Sequence, residues 1–444
     1  ITHIAGSWGI PSGELKDIVI RALKAYLQSD AIMTWRCEGD DKPHVVIIHP
    51  DGEEAHLTTK VFIDLIRPHV ILISGKRGTG KCVTGDTLVY LGDGRLVEIK
   101  EIVGRRETLQ NLALNPSTFQ IESSKIVRFF EREVDKIIEI KLWNGLEIRT
   151  SVEHPFLTIE GWKHANELKV GDWVCIARKV RINPRGKMRK CEIKLLAYLL
   201  AEGIIDNSFV WFTNKDRKIR RDFIDSVKKF DENLEVKKSD KHTLKVVGKK
   251  SKVINVRIRR KSDGKFDKGT KIFVERNSLL KWLKALGLEG KRAGEKFIPP
   301  SIFSLNEDDV ALFLKCLFSC DGSIYIKKCK KRNQPIIEYS SKSRKLVEGI
   351  YYLLLRFGIV SYIREKRVKK GTYYRLYITN LQDIKTFIKR IGFIGREKLQ
   401  RKILQMRCRY HSNFYLVPKE IWEYLRRKYK KKEIAKALKY KNWK

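Results

Sequence analysis

A glycine-rich loop that ends in lysine gives the first indication of chemistry in this sequence. Gly75, Gly80 and Lys81 meet the pattern G-x-x-x-x-G-K directly after the apolar run 70–74. In such a loop, backbone N–H groups surround a phosphate and the lysine reaches the terminal phosphates of a nucleotide. The pattern next requires Ser or Thr for Mg²⁺, but Cys82 and a β-rich stretch follow. We therefore predict a nucleotide-binding loop that an insertion interrupts at Cys82; a chance glycine-rich turn is the alternative.

Cys82 introduces a second chemistry, because a cysteine thiolate is a good nucleophile and its sulfur accepts an acyl group. Attack on the carbonyl of Lys81 would convert that peptide bond into a thioester. Residues 82–99 and 147–158 resemble the two amino-terminal sequence blocks of inteins, which are self-splicing protein insertions. The position of these blocks, immediately after a severed phosphate loop, favours that interpretation.

The second block contains Ser151-Val-Glu-His154, where inteins usually have Thr-x-x-His. The resemblance implies that His154 gives a proton to the departing nitrogen and that Ser151 helps to hold the strained bond. A buried structural cysteine and a turn histidine are the alternative. No His-Asn pair precedes a Cys, Ser or Thr in the sequence. We therefore expect the carboxy-terminal splicing blocks to be missing, so that this chain forms the thioester but no ligated product.

Two apolar segments of helical length end in a carboxylate that is followed by glycine. Residues 195–202 end in Glu202 and residues 314–321 end in Asp321, and a short β-like run comes after each. The two carboxylates lie 119 positions apart, which predicts an internal duplication. A single such helix would ordinarily belong to a hydrophobic core.

The pair of segments resembles the LAGLIDADG family of homing endonucleases, which are commonly embedded in inteins. In that family the two helices pack together and their terminal acids meet, which implies that Glu202 and Asp321 are catalytic, metal-binding acids. Two carboxylates with Mg²⁺ between them can activate water and stabilise a leaving oxygen. The family also places a basic residue near the acids, where a strand ends and a helix begins. Lys215 and Lys342 match that position; solvated lysines are the alternative.

The charge distribution indicates which part of the chain binds DNA. Of the 93 basic and 52 acidic residues, 10 and 10 lie in residues 1–81 and 14 and 15 in residues 82–180, which leaves 69 and 27 for residues 181–444. Such an excess of cations favours a nucleic acid partner. The resemblance implies double-stranded DNA, the uninterrupted allele of the host gene, and the internal repeat implies a monomeric endonuclease.

These residues need several domains to position them, and we expect a multidomain chain that is truncated at both ends. The expected domains are a partial α/β host ATPase with the P-loop (1–81), the amino-terminal part of an all-β Hint-type splicing domain (82–180), an α+β LAGLIDADG endonuclease (181–414) and a basic helical tail that could contact DNA (415–444). The endonuclease would have two pseudo-symmetric αββαββα repeats, at about 190–300 and 305–400. ATP and Mg²⁺ would bind only the intact host protein.

Composition argues against several other classes of protein. No apolar run approaches the roughly 18–20 residues of a membrane span, and no basic and apolar leader follows Ile1. Eight cysteines, with no C-x2-C pair, are too few for a disulfide scaffold. We therefore expect a cytoplasmic protein. Two alternative functions stay open: a DNA-dependent P-loop ATPase or helicase whose basic region binds DNA, and a nuclease-dead DNA-binding module.

Overall fold

The computed structural model of the chain describes most residues after position 81. The described ranges are 31–34, 82–105, 110–115, 120–126, 131–158, 161–206, 209–248, 252–256, 270–274, 277–329, 332–369 and 371–406, with the single residues 129 and 430. The predicted phosphate-binding residues Gly75, Gly80 and Lys81, most of the predicted host segment and nearly all of the predicted tail therefore lie outside the described residues.

Short antiparallel strands make up most of the segment that follows Cys82. The strands up to residue 177 are β1 (Ala31–Thr34), β2 (Leu88–Tyr90), β3 (Leu96–Glu98), β4 (Gln110–Asn115), β5 (Gln120–Lys125), β6 (Ile137–Lys141), β7 (Glu147–Ser151), β8 (Pro155–Thr158), β9 (Gly161–His164) and β10 (Val174–Ala177). Four of them form one sheet in the order β1-β10-β8-β9, and the others pair as hairpins β2-β3, β4-β5 and β6-β7.

The segment is not purely β, because one helix, α1 (Ile99–Arg105), follows β3. Glu101 in its first turn and Arg105 in its last turn both complement the helix dipole, and Ile102 is buried. A single 3₁₀ turn at Ala165–Glu167 follows β9. The all-β prediction for residues 82–180 therefore holds for the sheets but misses this helix, which is too short to show helical periodicity.

Residues 190–406 fold into two units that repeat one order of elements. The first unit contains α2 (Lys190–Glu202), β11 (Gly203–Ile205), β12 (Val210–Thr213), α3 (Arg217–Phe230), β13 (Leu234–Lys238), β14 (Thr243–Gly248), the hairpin β15 (Lys252–Val256) and β16 (Thr270–Val274), and α4 (Ser278–Ala285). The short α5 (Pro300–Phe303) connects it to α6 (Glu307–Asp321), β17 (Gly322–Cys329), β18 (Arg332–Ser341), α7 (Arg344–Leu355), β19 (Tyr362–Val368), β20 (Gly371–Ile378), α8 (Leu381–Arg390) and α9 (Glu397–Gln405). The sheets have equivalent strand orders, β11-β12-β14-β13 and β17-β18-β20-β19. Both units thus show the αββαββα order, and the β15-β16 hairpin is an addition to the first.

The helices α2 and α6 pack against each other in the centre of the main hydrophobic core. Leu196 and Leu200 of α2 and Phe313 and Leu317 of α6 are at most 1% exposed. Burying one such side chain contributes about 1.5–3 kcal/mol. Because both helices are apolar on almost every side, they are fixed at the centre, and the residues at their ends are fixed with them.

The β6-β7 turn, within residues 82–180, docks against strand β19 of the second unit. Ile363 donates its N–H to the carbonyl of Asn144 at 2.7 Å, and Arg364 Nη1 donates to the carbonyl of Trp143 at 2.5 Å. Gly145 has a φ of +85°, and a Cβ at this position would overlap the carbonyl of Ile363.

Among the described residues, no helix is both long enough and apolar enough to cross a membrane.

Candidate active sites

Glu202 and Asp321 are the last residues of the two central helices, so the packing of α2 on α6 brings their carboxylates to one region of the molecule. We call these two residues the acid pair. Gly203 and Gly322 follow them and donate their N–H groups back to the carbonyls of Leu199 and Phe318.

Both glycines are needed because the backbone approaches closely there, and neither has a positive φ. A Cβ at Gly203 would lie 2.6 Å from the Cα of Leu199, and one at Gly322 would lie 2.5 Å from the carbonyl oxygen of Phe318. The carboxylate-glycine sequence at the end of each helix therefore reflects a tight corner between helix and strand.

The acid pair has unusual electrostatics. Burial raises the pKa of Glu202 to about 7, and the charge of Asp321 contributes to the increase. Burial likewise raises the pKa of Asp321 to about 6. Asn214 Nδ2 donates a hydrogen bond to Glu202 Oε2 and partly opposes the rise in the pKa of Glu202. Raised carboxylate pKa values in a cleft are typical of catalytic or cation-binding sites.

Lys296 lies beneath the acid pair and was not predicted from the sequence. Its side chain is buried, and Nζ donates to the carbonyls of Leu199, Leu200 and Gly203 at 2.9, 3.0 and 2.7 Å. Burial lowers the pKa of Lys296 to about 8, although both acids act in the opposite direction. Its positive charge lowers the pKa of each acid in turn, so this lysine reduces the repulsion between the two carboxylates.

Arg396 makes the corresponding contact in the second unit. Its Nη1 donates to the carbonyl of Gly322 at 2.9 Å, and its guanidinium lies 4.8 Å from the ring centre of Phe393. Each unit thus uses a cation from the segment after its third helix, α4 or α8, to hold the carbonyl of the glycine that follows its acid. A helix-then-glycine pattern occurs before both cations in the sequence, and the basic residue that follows it is the only local signal.

Next to Glu202 is an open cleft of about 380 Å³. It is lined by Glu202, Thr213, Asn214, Lys215, Asp216, Ile219, Ser319, Cys320, Ile394, Gly395 and Arg396. Lys215 is exposed there and precedes Asp216, which caps helix α3 by accepting from the N–H groups of Lys218 and Ile219. The structure therefore brings Lys215 and Glu202 into one cleft, together with Arg396 of the other unit.

Lys342 occupies the equivalent place in the second unit but does not line this cleft. It precedes Ser343, which caps helix α7 by accepting from the N–H of Leu346. Its ammonium lies 5.5 Å from the ring centre of Tyr373, and the side chain is exposed. The two predicted lysines thus share a topological position, while only Lys215 is grouped with an acid.

The acid pair suits a hard divalent cation. Its donors are carboxylate oxygens, and a cation would offset the burial that raises both pKa values and the negative charge of Asp321 that further raises the pKa of Glu202. Within the described residues no group of three or more His, Cys, Asp or Glu side chains could hold a metal. Two carboxylates with further positions left for water and phosphate oxygens are the arrangement in which Mg²⁺ is usually bound. The residues therefore fit Mg²⁺ or a similar ion.

Basic and aromatic side chains share one face of strands β19 and β20. Arg364 lies opposite Arg375 in the strand register. Glu338 pairs with Arg375 at 3.0 Å, and the rings of Tyr362 and Tyr377 stack with their centres 5.3 Å apart. Glu338 offsets the charge of Arg375, and the exposed Lys366 of β19 adds a further cation, so this face remains basic.

The second candidate site surrounds Cys82. Cys82 donates its N–H to Ser151 Oγ at 3.0 Å, and its carbonyl accepts from the N–H of Ser151 at 2.9 Å. Val83 forms a β-bridge with Thr150, so the chain around Cys82 runs antiparallel to β7. The N–H that Ser151 holds is the amide of the Lys81–Cys82 bond. The structure thus brings the hydroxyl of Ser151 to the nitrogen that would leave in thioester formation.

His154 lies just after the end of strand β7, and its N–H donates to the carbonyl of Ser151 at 3.2 Å. The side chain is 3% exposed, and its ring meets the ring of Phe156 edge-on at 5.2 Å. Cys82 is half-buried and is not in a disulfide. The three predicted residues of this site are therefore contributed by one short antiparallel unit.

Comparisons with known proteins agree with part of this picture. Residues 308–392 match the family model of the LAGLIDADG-like domain. The chain is 29% identical over 361 residues to the replicative DNA helicase DnaB of Nostoc sp., covering 79% of this chain and 39% of that protein. It is also 29% identical over 399 residues to the replication factor C small subunit of Methanocaldococcus jannaschii, covering 85% of this chain and 19% of that protein.

The solved structures that resemble the chain include I-DmoI in complex with DNA and Mn, at 16% identity and a TM-score of 0.29, covering 46% of this chain and 96% of that one. The similarity to the LAGLIDADG-like domain is shown by the family model and covers residues 308–392. It spans well under half the length of the two curated relatives.

Proposed function

We propose that this chain is part of an intein in a host ATPase and that its LAGLIDADG-like region is a metal-dependent endonuclease that cuts double-stranded DNA. The observation that carries the nuclease proposal is the acid pair: two half-buried carboxylates at the ends of two packed helices, one from each repeat. A double-strand break needs chemistry at two phosphates, and a pseudo-symmetric pair of acids supplies one carboxylate for each.

The side chains around the acid pair have separate roles in this proposal. The two carboxylates would hold a divalent cation, which when bound would polarise a scissile phosphate and activate water. Asn214 orients the Glu202 carboxylate through its hydrogen bond. Lys215, exposed in the cleft, and Arg396 would neutralise charge on the phosphate oxygens. The basic surface on β19 and β20 would hold the DNA backbone.

Intein membership is supported by the geometry at Cys82 and by the pattern of relatives. Ser151 Oγ accepts a hydrogen bond from the amide nitrogen of Cys82, and this nitrogen must leave when the Cys82 thiolate attacks the carbonyl of Lys81. Matches that cover 79% and 85% of this chain extend far beyond residue 81, yet one relative is a replicative DNA helicase and the other is a replication factor C small subunit. One long segment shared by two differently named proteins is what an inserted element would produce.

The thioester is tested by incubating the chain with a strong thiol. We expect release of an amino-terminal fragment that ends at Lys81, detected by gel electrophoresis and intact mass. Cys82→Ala should abolish the release, and Cys191→Ala, which changes a buried cysteine elsewhere, should leave it intact. Release that continues undiminished in Cys82→Ala contradicts the proposal.

The nuclease is tested with a plasmid that carries the uninterrupted host gene, in the presence of Mg²⁺. Linear product should form with the natural chain and be lost in Glu202→Gln and in Asp321→Asn. Asp225→Asn, at an exposed carboxylate of helix α3, is the matched control and should cut normally. A break that is insensitive to both acid substitutions would exclude the acid pair as the site.

The same assays separate the two alternatives. A nuclease-dead DNA-binding module would shift the target in a gel but yield no break. A DNA-dependent ATPase would hydrolyse ATP in a manner that depends on Lys81, although Cys82 stands where its loop needs Ser or Thr. We further propose a cytoplasmic location, because Cys82, Cys191 and Cys316 are not disulfide-bonded.

A further inference from the structure

The two repeats differ by one hydroxyl at the same place beside the acid pair. Phe212 lies opposite Gly203 in the register of β11 and β12, and Tyr339 lies opposite Gly322 in the register of β17 and β18. Each ring therefore lies beside the corner at which its own repeat passes from the acid to the glycine. The first repeat has a purely apolar ring there, and the second has a phenol.

Tyr339 is fully buried, and its oxygen has no hydrogen-bond partner among the described residues. Its ring lies 5.2 Å from that of Phe318, much as the ring of Phe212 stacks on Phe223 at 4.4 Å. The aromatic ring alone would satisfy the packing, as Phe212 shows. A buried hydroxyl that makes no hydrogen bond is destabilising, and native proteins contain few of them.

Burial raises the pKa of the Tyr339 hydroxyl well above its usual value, and Asp321, Cys320 and Glu202 raise this pKa further, Asp321 the most of the three. Tyr339 also lies opposite Gly322, the residue that follows Asp321, so it is placed on the Asp321 side of the site. The partner in the register at Gly203 is Phe212, which has no hydroxyl, and the hydrogen-bond donor to Glu202 is Asn214 instead.

We propose that Tyr339 is a positioning residue for the Asp321 half of the site. Its hydroxyl donates a hydrogen bond to the Asp321 carboxylate, or to a water held by that carboxylate, when a divalent cation is bound. Because Glu202 accepts from the Asn214 amide and Phe212 has no hydroxyl, the two half-sites are chemically unequal and cut the two DNA strands at different rates. This inference rests on the proposed endonuclease function.

The first test needs no DNA and no activity. In EDTA, Tyr339→Phe removes a hydroxyl without a protein partner, so we expect the melting temperature to rise by about 2 °C or more. Tyr198→Phe is the matched control, because Tyr198 is also fully buried but donates to Asp222 Oδ2 at 2.6 Å; its melting temperature should fall. With saturating Mn²⁺ the advantage of Tyr339→Phe should disappear, and calorimetry should show Mn²⁺ binding weakened at least threefold. A fall in EDTA that matches Tyr198→Phe, or unchanged Mn²⁺ affinity, overturns the proposal.

The second test follows the cutting of each strand of an end-labelled target. The natural chain should cut one strand faster, and Tyr339→Phe should slow one strand selectively and change the ratio of the two rates at least threefold. Phe212→Tyr, which adds a hydroxyl to the other half, should not reproduce that change. A ratio that stays within twofold in Tyr339→Phe refutes the positioning role. If the natural chain cuts neither strand, the nuclease proposal fails, and the EDTA and Mn²⁺ measurements still decide the role of Tyr339.

Discussion

Replacing Lys296 by methionine removes a cation that supports the acid pair from below. Lys296 is 6% exposed, and its ammonium makes three hydrogen bonds of 2.7–3.0 Å to carbonyls at the end of helix α2 and to Gly203. Methionine has a similar length and keeps the apolar stem packed. The substitution therefore isolates the loss of the charge and of its donors.

The size of the effect follows from these contacts. A hydrogen bond to a charged group contributes about 1.5–3 kcal/mol, and such contributions are not additive within one cluster. Leu199 keeps one partner, because the N–H of Gly203 also donates to its carbonyl. Removing one member of a buried charged cluster costs about 3–5 kcal/mol. We expect Lys296→Met to lower the free energy of unfolding by that amount.

The same substitution should change the pH dependence of DNA cleavage. Lys296 lowers the pKa of both acids, so without it the two carboxylates ionise at higher pH. We expect the midpoint of the rise in cleavage rate to move up by about one pH unit, which corresponds to about 1.4 kcal/mol. The midpoint must move to higher pH and not to lower pH, because only the ionised carboxylates bind a cation.

The assay is urea denaturation in EDTA, combined with a pH profile of cleavage in Mg²⁺. Lys291→Met is the matched control, since Lys291 is exposed in the same connecting segment, and it should change stability by less than about 0.5 kcal/mol. If Lys296→Met costs no more than Lys291→Met, or if the midpoint falls, then Lys296 does not support the acid pair electrostatically.

Three further predictions follow. First, both members of the acid pair have folded pKa values above their ordinary ones, which favours the protonated form in the folded state. The cation-free protein should therefore lose stability as pH rises from about 4 to 7, and Mn²⁺ should raise the melting temperature more at pH 8 than at pH 5; equal shifts would contradict this. Second, Ser151→Ala should slow thiol-induced cleavage at Cys82 about 10- to 100-fold, by loss of one hydrogen bond, and Ser151→Thr should restore most of it; an unchanged rate in the alanine variant would remove Ser151 from the mechanism. Third, Gly145→Ala should destabilise the chain by about 2 kcal/mol or more, through its positive φ and the overlap with Ile363, whereas Gly104→Ala within helix α1, which meets no atom within 4 Å, should be neutral or slightly stabilising in thermal denaturation.

The central helices and the acids at their ends could be predicted because the signals are local. A long apolar run, a carboxylate and then a glycine mark the end of each helix, and the repetition of this order after 119 positions indicates that the ends are equivalent. A short run of aromatic and β-branched residues after each helix predicted a strand, and β12 and β17 lie there. The order of elements in both units therefore agrees with the prediction.

The cations that contact the glycine carbonyls could not be predicted, because they depend on packing between distant segments. Lys296 contacts Leu199 across 97 positions and Arg396 contacts Gly322 across 74 positions. In a sequence with 93 Lys and Arg, a basic residue in a loop carries no signal of its own. Tyr339 could not be predicted for a related reason. A tyrosine on an apolar strand is common, and only the strand register shows that the equivalent residue of the first repeat is Phe212.

The boundary that the charge distribution marks near residue 180 is not a boundary in the packing. Tyr90, which lies within residues 82–180, belongs to the same hydrophobic core as the central helices. Its hydroxyl donates to the carbonyl of Tyr352 at 2.9 Å. Val180, at the end of residues 82–180, donates its N–H at 3.0 Å to the carbonyl of Leu355, the last residue of helix α7 in the second unit.

The β6-β7 turn continues this shared packing, because its residues hold strand β19 through two backbone carbonyls. Strand β7 begins directly after that turn and ends at Ser151, which binds the N–H of Cys82. One hairpin thus connects the basic surface of the second repeat to the candidate thioester site. The two chemistries are encoded in different blocks of sequence, yet they depend on one folded unit for their geometry.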